Sequence, residues 1–210
     1  MNIEPETLSQ KERYKIVTGT VLPRPIAWVS SMDAEGRLNL APFSYFTIAA
    51  TAPLTLLFCP QVRADGGEKD TLRNIEATGE FVINLTNEDT AEAMNLTATE
   101  LAYGESEFSW AGLSPAPSSR VAVPRVAEAP AAFECVLQQV VRAGSGGPGS
   151  GAVVFGEVQS IFLRDDLLDE NGYVRLEVLR PIGRLAGASY TRVRDIFHMV
   201  RVAPPVNRRR

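Results

Sequence analysis

Short apolar runs rich in β-branched and aromatic residues recur along the chain, separated by glycines, prolines and polar turns. Runs of this length and composition are typical of β-strands. They predict strands over residues 26–31, 43–50, 54–59, 81–85, 133–141, 153–163 and 173–178. Glycines in segments 32–36 and 170–172 suit tight turns, and Asn171-Gly172 is a strong hairpin signal.

Other segments predict helices and connections. Helices are expected over residues 5–16, 70–78 and 87–99. The second ends at Gly79, a residue type that favours the left-handed conformation just after a helix. The proline-rich segment 114–130 is interpreted as an extended connection, and the glycine-rich segment 144–151 as a flexible surface loop between two strands. Short strands with few helices favour a barrel or sandwich, because strand and helix do not alternate as in a doubly wound α/β fold.

Composition and charge restrict the partners. The net charge of −4 is uneven, because residues 180–210 carry +7 and the preceding residues carry −11. A basic terminus can indicate nucleic acid or membrane binding. The body is acidic, the whole chain has a pI near 5.2, and no aromatic-basic interleaving of the kind that binds nucleic acid accompanies the tail. No apolar run reaches the ~18–20 residues of a spanning helix. We therefore expect neither nucleic acid nor membrane as a partner.

The chain start and the cysteines favour the cytoplasm. The first residues contain neither the basic nor the apolar segment of a secretory signal. Cys59 and Cys135 are the only cysteines and are far apart in sequence. This usage is typical of a reducing compartment rather than of a disulfide framework.

Several common chemistries lack the residues that they need. His198 is the only histidine, so we predict no metal site, and no Gly-x-Ser-x-Gly elbow supplies a serine nucleophile. The glycine loop lacks the Gly-Lys-Ser/Thr ending of a phosphate-binding loop. The acidic residues 165–170 lack the ligand spacing of an EF-hand and are interpreted as a solvated turn.

Lys69-Asp70-Thr71 is a candidate anion site. The triplet stands at the start of a predicted helix, where free N–H groups, the helix dipole and an ammonium favour a phosphate. In the alternative interpretation, Asp70 merely caps the helix and Lys69 is solvated.

Two further polar segments are candidates for ligand contacts. Asn39-Leu-Ala-Pro-Phe-Ser44 opens a strand, and its proline forces an extended backbone whose amides and carbonyls could pair with a planar ligand. An ordinary core strand is the alternative. Ser30 and Ser31 place two hydroxyls at the end of the first predicted strand.

Together these segments resemble a known family. The motifs are Leu22-Pro-Arg-Pro-Ile-Ala-Trp-Val-Ser-Ser31, Asn39-Leu-Ala-Pro-Phe-Ser44, Lys69-Asp-Thr-Leu-Arg-Asn-Ile75 with Thr78-Gly-Glu-Phe-Val-Ile-Asn-Leu85, and Arg180-Pro-Ile-Gly-Arg-Leu185. In this order they resemble the flavin reductase-like family of FMN-binding split barrels. The resemblance covers roughly residues 17–199, which leaves an N-terminal helix or arm (1–16) and a basic tail (200–210).

The resemblance implies a mainly β fold, a six-stranded antiparallel split β-barrel of Greek-key type with a few flanking helices, working as a homodimer with FMN near the subunit interface. It implies that Lys69 and Thr71 contact the FMN phosphate and that Ser30 and Ser31 reach the ribityl chain or phosphate. The full set of implied cofactor contacts is Ser30, Ser31, Asn39, Ala41, Pro42, Phe43, Ser44, Lys69, Asp70 and Thr71. The backbone of residues 39–44 would pair with the isoalloxazine, and Ser44 could approach its N5 atom.

The resemblance also implies a reaction. Hydride would pass between NAD(P)H and flavin, with a monooxygenase, iron or oxygen as candidate acceptors. Tyr190 and His198 are expected near the flavin or nicotinamide pocket. No acid–base dyad is required, because the flavin supplies the electron sink and the protein positions two rings. A non-catalytic FMN-binding or electron-transfer protein with the same fold is the alternative.

Overall fold

The computed structural model describes residues 1–102 and 104–202 of the chain. The strands are β1 (Ala27–Met32), β2 (Leu38–Phe43), β3 (Phe46–Thr51), β4 (Leu54–Phe58), β5 (Glu80–Leu85), β6 (Pro115–Ala116), β7 (Arg125–Val126), β8 (Ala131–Ala143), β9 (Gly151–Leu163), β10 (Ile182–Arg184) and β11 (Tyr190–Arg192). The helices are α1 (Gln10–Thr20), α2 (Asp70–Thr78), α3 (Ala91–Leu96), α4 (Glu107–Trp110) and α5 (Leu176–Leu179), and a 3₁₀ turn covers Pro5–Thr7. None of the helices in this part of the chain is long and apolar enough to span a bilayer.

Seven of the described strands form one antiparallel sheet in the order β2-β1-β5-β8-β9-β4-β3. This is one strand more than the six that the family resemblance implies, although the mainly β class is as expected. β6 and β7 form a separate two-stranded sheet, as do β10 and β11. Arg184 of β10 also forms an isolated antiparallel bridge with Arg24. β8 and β9, each 13 residues long, form a hairpin near the centre of the sheet.

The sheet is curled into an incomplete barrel. β2 and β4 stand first and sixth in the strand order, so a flat sheet would hold them roughly 24 Å apart. The rings of Phe43 in β2 and Phe58 in β4 are nevertheless 5.0 Å apart between centroids. Phe81 of β5 packs edge-on against Phe58 at 5.7 Å. The two edge strands, β2 and β3, do not pair with each other, which leaves the barrel split along one side.

β1 is buried on both faces. Ala27 and Val29 point into the barrel and belong to the cluster that contains the three phenylalanines. Ile26 and Trp28 face outwards into a second cluster with residues of α3, α4 and β7. The Trp28 indole N–H donates to Thr97 Oγ1 at 2.8 Å, which satisfies the one polar atom of this buried ring.

Two predicted helices have different bounds. Helix α1 begins at Gln10 rather than at residue 5, because Ser9 and Glu12 form a reciprocal capping box, and it continues through Gly19 to Thr20. The helix predicted over 87–99 is confined to α3. Asn87 and Thr90 exchange hydrogen bonds of 3.0 Å before it, so these residues form a turn that leads into the helix.

Two predicted strands are also corrected. The run 43–50 is divided, because β2 ends at Phe43 and the link Ser44-Tyr45 carries the chain across the split into β3. The strand predicted over 173–178 is wrong. Asp169 Oδ1 accepts the N–H groups of Asn171 and Tyr173, and this tight turn is followed by one isolated bridge and by α5.

Gly156 is required by the packing of the barrel interior. A Cβ atom at this position would lie 2.3 Å from Phe81 Cζ and 3.1 Å from Cys135 Cβ. We expect Gly156→Ala to lower the free energy of unfolding by roughly 1–3 kcal/mol, the usual cost of overpacking. Urea denaturation measures this change. Gly147→Ala is the matched control, because a Cβ there meets nothing within 4 Å; equal loss in both variants would contradict the packing interpretation.

Candidate functional site

A cleft lies between the outer edge of β2 and the start of α2. Its lining contains seven of the ten residues predicted to contact a cofactor: Asn39, Ala41, Pro42, Phe43, Lys69, Asp70 and Thr71. Residues 97–101 after α3, Arg63 and Glu107 complete the wall. The structure therefore brings the strand segment and the helix start, predicted separately, to one place.

The start of α2 is not capped by a side chain. Lys69 occupies the N-cap position and makes no capping hydrogen bond. Asp70 does not cap the helix either, since its carboxylate lies 3.3 Å from Arg73 Nη2. The N–H groups of Leu72 and Arg73 bond to the Lys69 carbonyl, so those of Asp70 and Thr71 have no acceptor within the helix. The capping alternative is wrong, and the helix start can accept an anion.

Carboxylates accompany the cations of this cleft. Lys69 Nζ lies 2.5 Å from Glu100 Oε1, and Arg63 Nη2 lies 3.9 Å from the same carboxylate. The hydrogen bond from Lys69, together with its charge, lowers the pKa of Glu100. Glu100 therefore holds the ammonium that a phosphate at the helix start would need.

A buried polar network fixes the floor of the cleft. The Asn39 amide donates to Thr71 Oγ1 at 2.9 Å and to Ser31 Oγ at 3.4 Å. Asn74 of α2 donates to the same Ser31 oxygen at 3.2 Å. Ser30 donates to the Pro124 carbonyl at 2.7 Å. Both serines are fully buried and line none of the cavities described here. Ser31 lies behind Asn39, whereas Ser30 contacts Pro124 and the Asn84 amide instead.

Glu107 belongs to the cleft but was not predicted from sequence. Its side chain is 7% exposed, and its Oε2 accepts the Leu40 N–H at 2.9 Å. Because Glu107 takes the donor of Leu40 and Pro42 has no N–H, the adjacent outer edge of β2 offers the carbonyls of these two residues. Burial, and to a lesser extent the charge of Asp70, raises the pKa of Glu107.

Ser44 lies in an adjoining cavity. Pro42, Phe43 and Lys69 line both cavities. The second contains the cations Arg24, Lys69 and Arg184, and its described lining includes no carboxylate. Arg24 is 6% exposed and donates to the carbonyls of Thr18, Val21 and Leu185 at 2.8–2.9 Å. Its Nε is 3.4 Å from Ser44 Oγ. The three carbonyls therefore hold the positive charge of Arg24 beside that serine.

A third cavity lies on the side of the glycine loop. Lys69 lines this cavity as it does the other two. The volumes are about 100, 180 and 370 Å³ for the cleft, the Ser44 cavity and the loop cavity. Typical ligand sites occupy roughly 300–1,000 Å³. A nucleotide-sized ligand would therefore extend over more than the cleft alone, along a groove that surrounds Lys69.

Tyr190 and His198 are not brought to this groove. Tyr190 lines a separate cavity with Met94 and Ile182, and its hydroxyl donates to Asn95 Oδ1 at 3.3 Å. His198 is exposed in the extended segment 193–202 and lines none of these cavities. Within one chain both residues stand apart from Lys69. Of the predicted tail 200–210, residues 203–210 lie outside the described residues.

Comparison with known proteins identifies the family. A model of the "Flavin reductase like domain" matches residues 18–178. The chain belongs to the flavin reductase-like family. Flavin is therefore the ligand class expected of this flavin reductase-like protein.

Solved structures of similar proteins agree with the fold. Nitrilotriacetate monooxygenase component B from Bacillus cereus is 37% identical and superimposes with a TM-score of 0.90 over 95% of this chain and 98% of that one. The 2-nitrobenzoate 2-nitroreductase NbaA from Pseudomonas fluorescens is 34% identical, with a TM-score of 0.83 over 99% and 98%. A protein assigned as a flavin reductase with a split barrel domain, from Shewanella frigidimarina, is 20% identical, with a TM-score of 0.82 over 96% and 100%. The predicted split-barrel fold is confirmed.

Glu107 gives this flavin reductase-like protein a specific pH dependence. When folding raises the pKa of a carboxyl, ionisation of that carboxyl destabilises the folded state relative to the unfolded state. Relative to Glu107→Gln, the wild type should lose stability as pH rises from the ordinary glutamate pKa of about 4.3 through the higher pKa in the folded protein. Urea denaturation of both proteins between pH 4 and pH 8 measures the difference. A difference that does not change with pH would contradict this assignment.

Proposed function

We propose that this protein is an FMN-binding oxidoreductase of the flavin reductase type that passes hydride or electrons between NAD(P)H and flavin. One observation carries the proposal: the uncapped start of α2, with Lys69, shares a cleft with the outer edge of β2. The first feature suits a phosphate and the second suits the polar edge of a planar ring. A phosphorylated flavin contains both.

The phosphate would be held at the start of α2. The N–H groups of Asp70 and Thr71 and the Lys69 ammonium supply donors of the type that phosphate prefers. Arg63 adds a second cation to the cleft. Its Nε is buried without a hydrogen bond and lies 3.7 Å from the Asp65 carboxylate. An unsatisfied buried donor favours an acceptor such as a phosphate oxygen.

The ring would lie against β2. The carbonyls of Leu40 and Pro42 can accept hydrogen bonds from a ring N–H, and Phe43 supplies apolar surface. Ser44, beside the Arg24 guanidinium, would face the reactive part of the ring from the adjoining cavity. Ser31 would act from behind, through Asn39 and Thr71. Ser30 bonds to Pro124 and would not act through these residues.

The bound flavin would supply the hydride acceptor, and the protein would supply position and charge. Lys69 and the α2 start fix one end of the ligand, and the β2 edge fixes the other. The hydride step requires no residue to transfer a proton. The lack of an acid–base dyad therefore agrees with the proposal.

A homodimer would complete the groove. Ile196, Phe197, Met199 and Val200 are each more than half exposed, and such apolar segments are typical of association surfaces.

The similarity to a monooxygenase component B supports a monooxygenase as electron acceptor. Both cysteines are free, which supports a reducing compartment such as the cytoplasm.

The decisive experiment is an absorption spectrum of the purified protein with added FMN, followed by anaerobic addition of NADH or NADPH. A bound flavin spectrum that bleaches with either nucleotide supports the proposal. A yellow protein that neither nucleotide bleaches favours the alternative of a non-catalytic FMN-binding or electron-transfer protein. Protein that binds no flavin refutes both.

Removal of the Lys69 charge should affect FMN and riboflavin differently. Lys69→Gln is expected to weaken FMN binding by about tenfold or more, as for the loss of a charge-assisted hydrogen bond. Riboflavin lacks the phosphate and should lose less than about twofold. Quenching of flavin fluorescence measures both affinities. Lys11→Gln on α1 is the matched control, and equal losses for both ligands would place the phosphate elsewhere.

Removal of Glu100 should have the opposite effect on FMN. Its carboxylate must release Lys69 before the ammonium can bind a phosphate. Glu100→Gln is therefore expected to tighten FMN binding by about two- to fivefold, in the range of an exposed ion pair, and to leave riboflavin unchanged. Fluorescence titrations at low ionic strength test this, because salt screens the interaction. Weaker FMN binding would show that Glu100 orients Lys69 rather than competing for it.

A further inference from the structure

The Ser44 cavity contains positive charge that no acidic group of its lining balances. Arg24 and Arg184 both line it, and neither takes part in an ion pair within the part of the chain that the structure describes. Lys69 also lines it, but Glu100 holds that ammonium. Burial raises the pKa of Tyr45 and of Cys59, so both stay neutral near pH 7. The excess charge therefore belongs to the two arginines.

The backbone holds these arginines directly opposite each other. The Arg24 N–H donates to the Arg184 carbonyl at 3.0 Å, and the Arg184 N–H donates to the Arg24 carbonyl at 2.8 Å. The two residues form an isolated antiparallel bridge. Like charges on directly opposite residues of such a pair repel each other. An anion between the two side chains would remove this repulsion.

The partners of both guanidinium groups are neutral. Arg24, which is 6% exposed, is held by the three carbonyls named above. Arg184 donates through Nη2 to the Gly187 carbonyl, and its Cζ lies 4.5 Å from the centre of the Tyr190 ring. Its Nε and Nη1 make no hydrogen bond to the described residues. Carbonyls satisfy N–H groups but leave the net charge, and a buried charge without a counter-ion is costly. The cavity is therefore suited to an anion.

The walls and the size of the cavity suit a single aromatic ring. Phe43, Tyr14 and Tyr45 contribute rings to the lining. The Tyr14 and Tyr45 hydroxyls and the Gln61 side-chain amide, all at the cavity, have no hydrogen-bond partner among the described residues. The volume is about 180 Å³, and an engineered protein cavity of about 150 Å³ holds benzene. One ring with a small polar substituent fits this space, whereas a nucleotide does not.

We propose that the Ser44 cavity binds a single-ring aromatic carboxylate, whose carboxylate pairs with Arg184 next to Arg24. A planar carboxylate matches the fork of donors on a guanidinium, and the ring would pack against the aromatic walls. The location of this ligand beside the reactive part of the flavin rests on the proposed function. The cavity would then hold a second small ligand next to the flavin ring.

The test uses benzoate as the probe and isothermal titration calorimetry of the full chain, before and after FMN is added. Arg184→Gln removes one cation, and Gln61→Glu adds a carboxylate to the lining without adding bulk. Arg120→Gln and Gln139→Glu are matched controls at exposed positions outside the lining. Benzamide is the neutral counterpart of the probe. Circular dichroism confirms folding, and Gln61→Glu suffices if the arginine variant does not fold.

Benzoate should bind to the wild type both with and without FMN. Each lining variant should weaken benzoate about tenfold or more, as for the loss of a charge-assisted contact, and the controls should change it less than about twofold. Benzamide should bind at least about tenfold more weakly than benzoate, because it lacks the charge. Its affinity should be the same in Arg184→Gln and in the wild type.

Three results would overturn this inference and leave the proposed function intact. In the first, the protein binds FMN but not benzoate. In the second, benzoate binds only before FMN is added, which would show that the flavin itself occupies the cavity. In the third, inorganic phosphate binds as tightly as benzoate and is equally sensitive to Arg184→Gln, which would indicate a simple anion site. Wild-type protein that binds no FMN overturns the proposed function, and the location of the ligand beside a flavin with it.

Discussion

Closure of the barrel by aromatic packing is the constraint on which the remaining structure depends. Phe43 can contact Phe58 only if the sheet curls until its first and sixth strands meet. Leu72 and Ile75 of α2 insert into the same apolar cluster. The helix must therefore cross the barrel near the free edge of β2. The cleft is a geometric consequence of this core, because the helix that packs into the core begins beside the free outer edge of β2.

Burial of β1 on both faces determines the rest of the cleft. Trp28 and Leu40 form a second apolar cluster outside the barrel, and Met94 and Phe108 cover it from α3 and α4. Seating Phe108 in this cluster carries the preceding Glu107 to the β2 edge. Burying this carboxyl is costly, and the hydrogen bond to the Leu40 N–H offsets part of the cost. The one-turn helix α4 thus brings the Glu107 carboxyl to the site, because the neighbouring Phe108 packs into the second cluster.

Local signals predicted much of the fold and part of the site. Strands β4 and β5 and helix α2 with Gly79 depend on short-range patterns, and the sequence predicted them. The anion-binding role of the start of α2 stays a prediction. Glu107 and Arg24 were not found as site residues, because each is defined by contacts with distant segments, Leu40 and Leu185 respectively. The division of the run 43–50 follows from the curl of the whole sheet, which no local pattern encodes. The placement of Ser31 behind Asn39, and of Ser30 against Pro124, is equally a matter of tertiary packing.

The position of Lys69 among three cavities makes them thermodynamically dependent on one another. Its ammonium contributes to the electrostatic potential in each cavity. Interactions with that charge are stronger where water is partly excluded. An anion bound in one cavity therefore alters the binding free energy of a charged group in the next. Linkage requires this effect to be reciprocal. If charged ligands occupy two of the cavities, their binding free energies are coupled, because both ligands interact with this one charge.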